Sequence, residues 1–128
     1  MGSVITFYSY KGGTGRTMAL ANVACLVSRN FVTTEKILLV DWDLEAPGLH
    51  RFFTRYEKPN HADKLGVIDY FSNIAELLEE NREIYRTILS EKGWGTLNKL
   101  MPLGDYVISD ILPGIDLMKA GRFDTQYP

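Results

Sequence analysis

Two short segments hold the residue types that can do chemistry. The first, Lys11-Gly12-Gly13-Thr14-Gly15-Arg16-Thr17, gathers three glycines, two cations and two hydroxyls in one run. A phosphate group needs several converging backbone N–H donors, and glycine lets a chain curl tightly enough to aim them inward. A helix opening at about Thr17 adds the positive end of its dipole. A cation at Arg16 reaches terminal phosphates, and the hydroxyl of Thr17 is of the type and size that ligates Mg²⁺. The second segment is Asp41-Trp42-Asp43. Extended alternation puts its two carboxylates on one side and Trp42 on the other. The remaining candidates read as structural. His50 and His61 lack companion ligands at metal spacing, Cys25 lies among small helical residues, and Glu45 reads as a solvated or helix-start carboxylate.

The elements that must position these groups follow from periodicity. Val4 to Tyr10 is rich in β-branched and aromatic residues and stops at the glycines, which predicts a buried strand. From Thr17 to about Arg29-Asn30 the chain is apolar almost all round and rich in small residues, as in a helix pressed against a sheet. A polar link through Thr33, Thr34 and Glu35 leads to Lys36–Asp41, a continuous apolar run of the kind found in covered parallel strands. Strand, glycine loop, helix and strand make a βαβ unit. Beyond it, Val67, Phe71, Ile74 and Leu78 predict one amphipathic helix, and Ile84, Tyr85, Ile88 and Leu89 a second. Gly93-Trp94-Gly95 reads as a break, and Gly114–Met118 as another strand ending at Ala120-Gly121.

Composition bounds the rest. The chain has 128 residues, 45% of them apolar, with 14 Lys+Arg against 16 Asp+Glu for a net charge of −2, which fits one soluble domain and excludes a disordered or polybasic chain. The longest nearly apolar stretch, Met18 to Val27, is interrupted by Asn22 and falls far short of the roughly 20 residues of a membrane span. The start of the chain has no basic region of the secretory type, and one cysteine makes no internal disulfide, so a cytoplasmic location is expected.

The glycine segment departs from the standard phosphate loop, since Tyr10 stands where the first glycine belongs and Arg16 replaces lysine. It resembles instead the deviant phosphate loop, Lys-Gly-Gly-x-Gly-Lys-Thr, of the partition and division-site ATPase superfamily that includes ParA and MinD. Arg16 is similar to the subgroup that carries arginine after the third loop glycine. Leu38 to Gly48 resembles that family's acidic strand end, and Gly114 to Gly121 its strand ending in Pro-Ala-Gly, with Lys119 in the proline's place.

The resemblance implies an α/β fold, a P-loop NTPase-like parallel sheet with flanking helices, and ATP and Mg²⁺ as cofactors. It implies phosphate binding by Gly12, Gly13, Thr14, Gly15, Arg16, Thr17 and Met18, and Mg²⁺ held by Thr17 and Asp41. Catalysis would fall to Lys11, Arg16 and Asp43. Lys11 would reach across a nucleotide-sandwich homodimer, the expected partner being that second copy or the missing part of its own domain, and Asp43 would orient the attacking water. The family's second acidic strand follows its Ala-Gly-ended strand, so residues 1–128 are expected to form the N-terminal part of one nucleotide-binding domain. Its Walker B and base-binding elements are then expected beyond residue 128. Asp110 imitates the missing acid, but only a few residues separate it from the next strand, too few for a parallel crossover, so it reads as a loop or hairpin residue.

Two other readings stand beside this one. A catalytically weak nucleotide-sensing regulatory module, with a protein regulator, is favoured by Arg16. A dinucleotide-binding fold accounts for Gly13, Gly15 and Asp41, but puts bulky Met18 where a third glycine permits close helix–strand approach. Nucleic-acid binding finds no local basic patch.

Overall fold

The computed structural model describes residues 2–30, 36–88 and 93–122. Its regular elements are α1 (Arg16–Asn30), β1 (Ile37–Val40), α2 (Val67–Glu80), α3 (Arg82–Ile88), α4 (Gly93–Leu100), β2 (Ile108–Leu112) and β3 (Ile115–Met118), with short 3₁₀ turns after β1 and before β2. The three strands form one sheet in the order β1-β3-β2. β1 and β3 run parallel, with Leu39 opposite Leu117 and Val40 opposite Met118. Asp41 N–H donates to Met118 O at 3.0 Å and prolongs that ladder past the end of β1.

Period-two alternation sends side chains to opposite faces of the sheet. On one face Leu39, Ile115 and Leu117 pack with Ala21 and Ala24 of α1 and with Leu49 and Phe53 of the 3₁₀ region. On the other, Met118 joins Val67, Leu97, Met101, Tyr106 and Val107, with Val40, Tyr70, Ile74 and Leu77 at its margin. The small residues of α1 let it lie close to the sheet. Val67, Tyr70, Ile74 and Leu77 of α2 cover the opposite side, whereas Phe71 of the expected stripe is 51% exposed.

The α/β class and flanking helices agree with the expectation. The expected all-parallel sheet is corrected to a mixed one, because β2 pairs antiparallel with β3 as a hairpin. A handful of residues closes a hairpin but cannot carry a parallel crossover. Asp110 therefore sits in β2, at a register irregularity and with φ of 50°. Its N–H donates to Asp116 Oδ1 at 2.8 Å, and Lys36 Nζ lies 3.2 Å from its carboxylate.

The expected strand over Val4 to Tyr10 does not form. Residues 2–9 have no regular structure, and Val4, Ile5 and Tyr8 are 95%, 77% and 78% exposed. Strand propensity is largely a fit to a half-buried sheet surface, and no described strand pairs with this segment. The expected break at Gly93-Trp94-Gly95 is instead the first turn of α4. Burial of Leu97 and of Met101 just beyond the helix offsets the roughly 1 kcal/mol that a helical glycine costs. Leu89 and the link at Thr33, Thr34 and Glu35 lie outside the described residues.

Candidate functional site

The glycine loop runs directly into α1. Gly13 and Gly15 have φ of 73° and 76°, the left-handed region that disfavours every residue with a Cβ, and their alternation curls the chain just before Arg16 starts the helix. The residues Lys11, Gly12, Gly13, Thr14 and Gly15 are all exposed. A Cβ built on Gly12 or Gly13 meets nothing within 4 Å, so open space adjoins the backbone there. Arg16 and Thr17 are half-buried at the helix start, and Met18 is 54% exposed.

A residue that sequence reasoning passed over holds this loop together. Ser9 Oγ donates to Lys11 O at 3.0 Å, accepts from Thr14 Oγ1 at 2.9 Å, and lies 3.2 Å from Arg16 Nη1. Arg16 Nη1 also reaches Ser9 O at 3.3 Å. The signal was a lone hydroxyl at the end of an apolar and aromatic run, immediately before the glycines. A cleft of about 450 Å³, lined by Thr6 to Ser9, Thr14 to Arg16 and Ala19, lies between this N-terminal segment and the start of α1.

The two acids have different surroundings. Asp43 Oδ2 pairs with Arg16 Nη2 at 2.7 Å, both side chains being about 30% exposed. Its Oδ1 accepts from Ala46 N–H at 3.1 Å. Asp41 is only 5% exposed. Its Oδ2 accepts from the N–H of Gly48 and Leu49 at 3.1 and 3.0 Å, and its Oδ1 from that of Asp43 at 3.3 Å. The Asp41 carboxylate thus ties the loop after β1 to the sheet and to the 3₁₀ turn at Leu49. Trp42 points the other way, 64% exposed and edge-on to Phe71 of α2 with ring centroids 5.7 Å apart.

Fold and sequence spacing therefore bring Lys11–Thr17 and Asp43 into one site through Arg16. Asp41 lies beneath it, engaged with backbone amides. The exposed, positively curled loop and the open space beside Gly12 and Gly13 fit a phosphate chain. Thr17, half-buried at the helix start, carries a hydroxyl of the type that ligates a hard cation. Asp41 Oδ2 takes two N–H groups and its Oδ1 one, so the carboxylate is held against the loop after β1 and Oδ1 keeps a further acceptor site. Among the described residues no group of three or more His, Cys, Asp or Glu side chains is placed to hold a metal ion by itself.

Lys119, which stands in the proline position of the resembled motif, is 3% exposed. Its Nζ donates to His61 O and Ala62 O at 3.0 Å, and burial pushes its pKa down. Burial also lowers the pKa of His50 and of His61, and His61 Nδ1 accepts from Lys58 N–H at 3.1 Å. These groups serve packing between the 3₁₀ region and β3. Cys25 of α1 packs against the core. No helix among the described residues is long and apolar enough to cross a membrane. Comparison with protein-family models, with curated proteins and with solved structures finds no match.

Proposed function

We propose that the chain binds Mg²⁺–ATP through Lys11–Thr17 and, as part of a complete domain, takes part in hydrolysis as a dimerisation-linked switch of the ParA and MinD type. One observation carries this reading. An exposed loop with two left-handed glycines ends at the first turn of α1, with open space beside its backbone. Backbone amides and a helix dipole directed at one point favour a polyanion.

In this reading the amides of Gly12 to Thr17 hold the phosphates, with Met18 continuing the helix behind them. Arg16 offsets γ-phosphate charge, and its planar guanidinium is suited to paired phosphate oxygens. Lys11, exposed on the outer side of the loop, neutralises phosphate charge on the partner subunit of a homodimer. Thr17 and Asp41 would hold Mg²⁺, which when bound supplies neutralisation of phosphate charge. Asp43 accepts a hydrogen bond from water, and Asp41 keeps Asp43 in place through its N–H. Such work is positioning and charge neutralisation, the main terms in phosphoryl transfer. ATP and Mg²⁺ are both supplied by a cytoplasm.

The Arg16–Asp43 pair favours a second reading, a nucleotide-sensing module with little turnover and a protein regulator. A cation committed to a neighbouring carboxylate is less available to a transferring phosphate. Mg²⁺–ATP titration followed by Trp42 fluorescence, together with phosphate release, tests both. Saturable binding with release supports the switch, and binding without release supports the sensing module. No affinity at millimolar ATP overturns both. Release unchanged in Lys11→Ala removes the cross-dimer role, and release unchanged in Asp43→Ala removes the water-orienting role.

A further inference from the structure

We propose that the Arg16–Asp43 ion pair is a latch which an incoming polyphosphate opens, releasing the Asp43 side chain and the exposed turn at 44–46, while Asp41 holds the backbone on either side at Asp43, Gly48 and Leu49. The latch rests on the nucleotide-binding reading and assigns that site its regulation.

The geometry separates a movable part from a fixed part. Arg16 Nη2 meets Asp43 Oδ2 at 2.7 Å, while its Nη1 stays on Ser9 of the loop. Arg16 is thereby shared between the loop that would hold phosphate and the segment after β1. Asp43 Oδ1 accepts from Ala46 N–H at 3.1 Å, so the Asp43 carboxylate also folds its own turn. Leu44, Glu45 and Ala46 are exposed. Behind them Asp41 Oδ2 accepts from Gly48 and Leu49, and Leu49 is 1% exposed in the core. A change of partner at Arg16 therefore frees Asp43 Oδ2 and leaves the exposed turn tied to the side chain by the Ala46 N–H bond alone, without disturbing the buried anchor.

Competition supplies the switch. A polyphosphate carries several oxygens for the same guanidinium, and Asp43 carries only one negative charge. When Arg16 turns to phosphate, Asp43 loses its counter-ion and faces a like charge, which favours its withdrawal. The same displacement turns Asp43 toward water, so latch opening and water orientation are one movement. Trp42, between the fixed Asp41 and the movable Asp43, reports it.

The test compares the full chain with Asp43→Asn and Asp43→Glu, using tripolyphosphate as the probe. Asparagine keeps an Oδ1 acceptor for Ala46 N–H but removes the competing charge, whereas glutamate keeps the charge. Because a partly exposed ion pair is a modest competitor, Asp43→Asn is expected to bind tripolyphosphate about two- to fivefold more tightly than wild type. Asp43→Glu is expected to stay near wild type. The Trp42 emission of free Asp43→Asn should lie closer to that of the ligand-bound wild type. A merely structural Asp43 would weaken binding when replaced. Unchanged or weaker binding by Asp43→Asn, with wild type still binding, overturns the latch and leaves the nucleotide reading standing. Absence of tripolyphosphate binding in all three chains overturns both.

Discussion

Asp41 and Asp43 stand two positions apart on one side of the chain, yet their surroundings divide them. Asp43 is at the surface against a cation, while Asp41 is buried under three backbone N–H donors. Charge-assisted hydrogen bonds of this kind contribute more than neutral ones, and leaving their donors unpaired is costly. Asp41→Ala is therefore expected to destabilise the fold by about 2–3 kcal/mol in urea denaturation. Asp43→Ala at the partly exposed pair should cost about 1 kcal/mol or less. The histidines add a pH dependence. Burial lowers His50 and His61 below their ordinary 6.5, so the unfolded chain takes up protons that the folded chain resists. Stability is complete above pH 6.5 and falls as pH drops from 6.5 toward the lowered values. Thermal unfolding between pH 7 and 5 should show this fall, with a shallower slope in His50→Gln.

At the scale of elements, the decisive contact is between the start of α2 and the end of β3. Val67 N–H donates to Lys119 O and Ile68 N–H to Ala120 O, so the strand end satisfies two amides that a helix start leaves open. Asp69 Oδ2 accepts from Gly66 and Arg122, closing the junction from the other side. Gly66 has no room for a side chain. A Cβ there would collide with the Lys119 carbonyl and lie 2.7 Å from Gly121 N. Gly66→Ala is thus expected to cost about 1–3 kcal/mol, as overpacking does, and to lower the denaturation midpoint without changing the urea dependence. The glycine loop, α1, β1, α2 and β3 were legible in the sequence because each carries its own period or punctuation. The antiparallel partner of β3 was legible only by the length of the connection. α4 was not, since its two glycines argue locally against a helix that is held by burial of Leu97 and Met101.

Across the whole molecule, the sheet has two apolar faces but few strands, and residues 2–9 join neither face. The strand expectation and the structure make opposite forecasts for this segment. In a buried strand, Ile5→Thr would cost several kcal/mol, as loss of core packing does. With Val4 and Ile5 95% and 77% exposed, Val4→Thr and Ile5→Thr are each expected to stay within about 0.5 kcal/mol of wild type in urea denaturation. Ser9, at the end of the same segment, is different, because its hydroxyl joins Lys11, Thr14 and Arg16. The stability of the segment is thus concentrated where it touches the loop.

Neighbours along the chain set the residue types and spacing of the loop, the turns that glycine accepts readily, and the helix that follows, so these are readable from local sequence. So is the placing of Asp41 and Asp43 on the opposite side from Trp42, since alternation is a property of extended backbone. Contacts across the fold set the rest: Asp41 holds the amides of Gly48 and Leu49, Arg16 closes on Asp43, and Ser9 anchors both loop and cation. Those outcomes depend on which groups meet across the fold. A carboxylate two residues from another becomes an anchor or a counter-ion according to how deeply the sheet buries it, and local periodicity does not encode that depth.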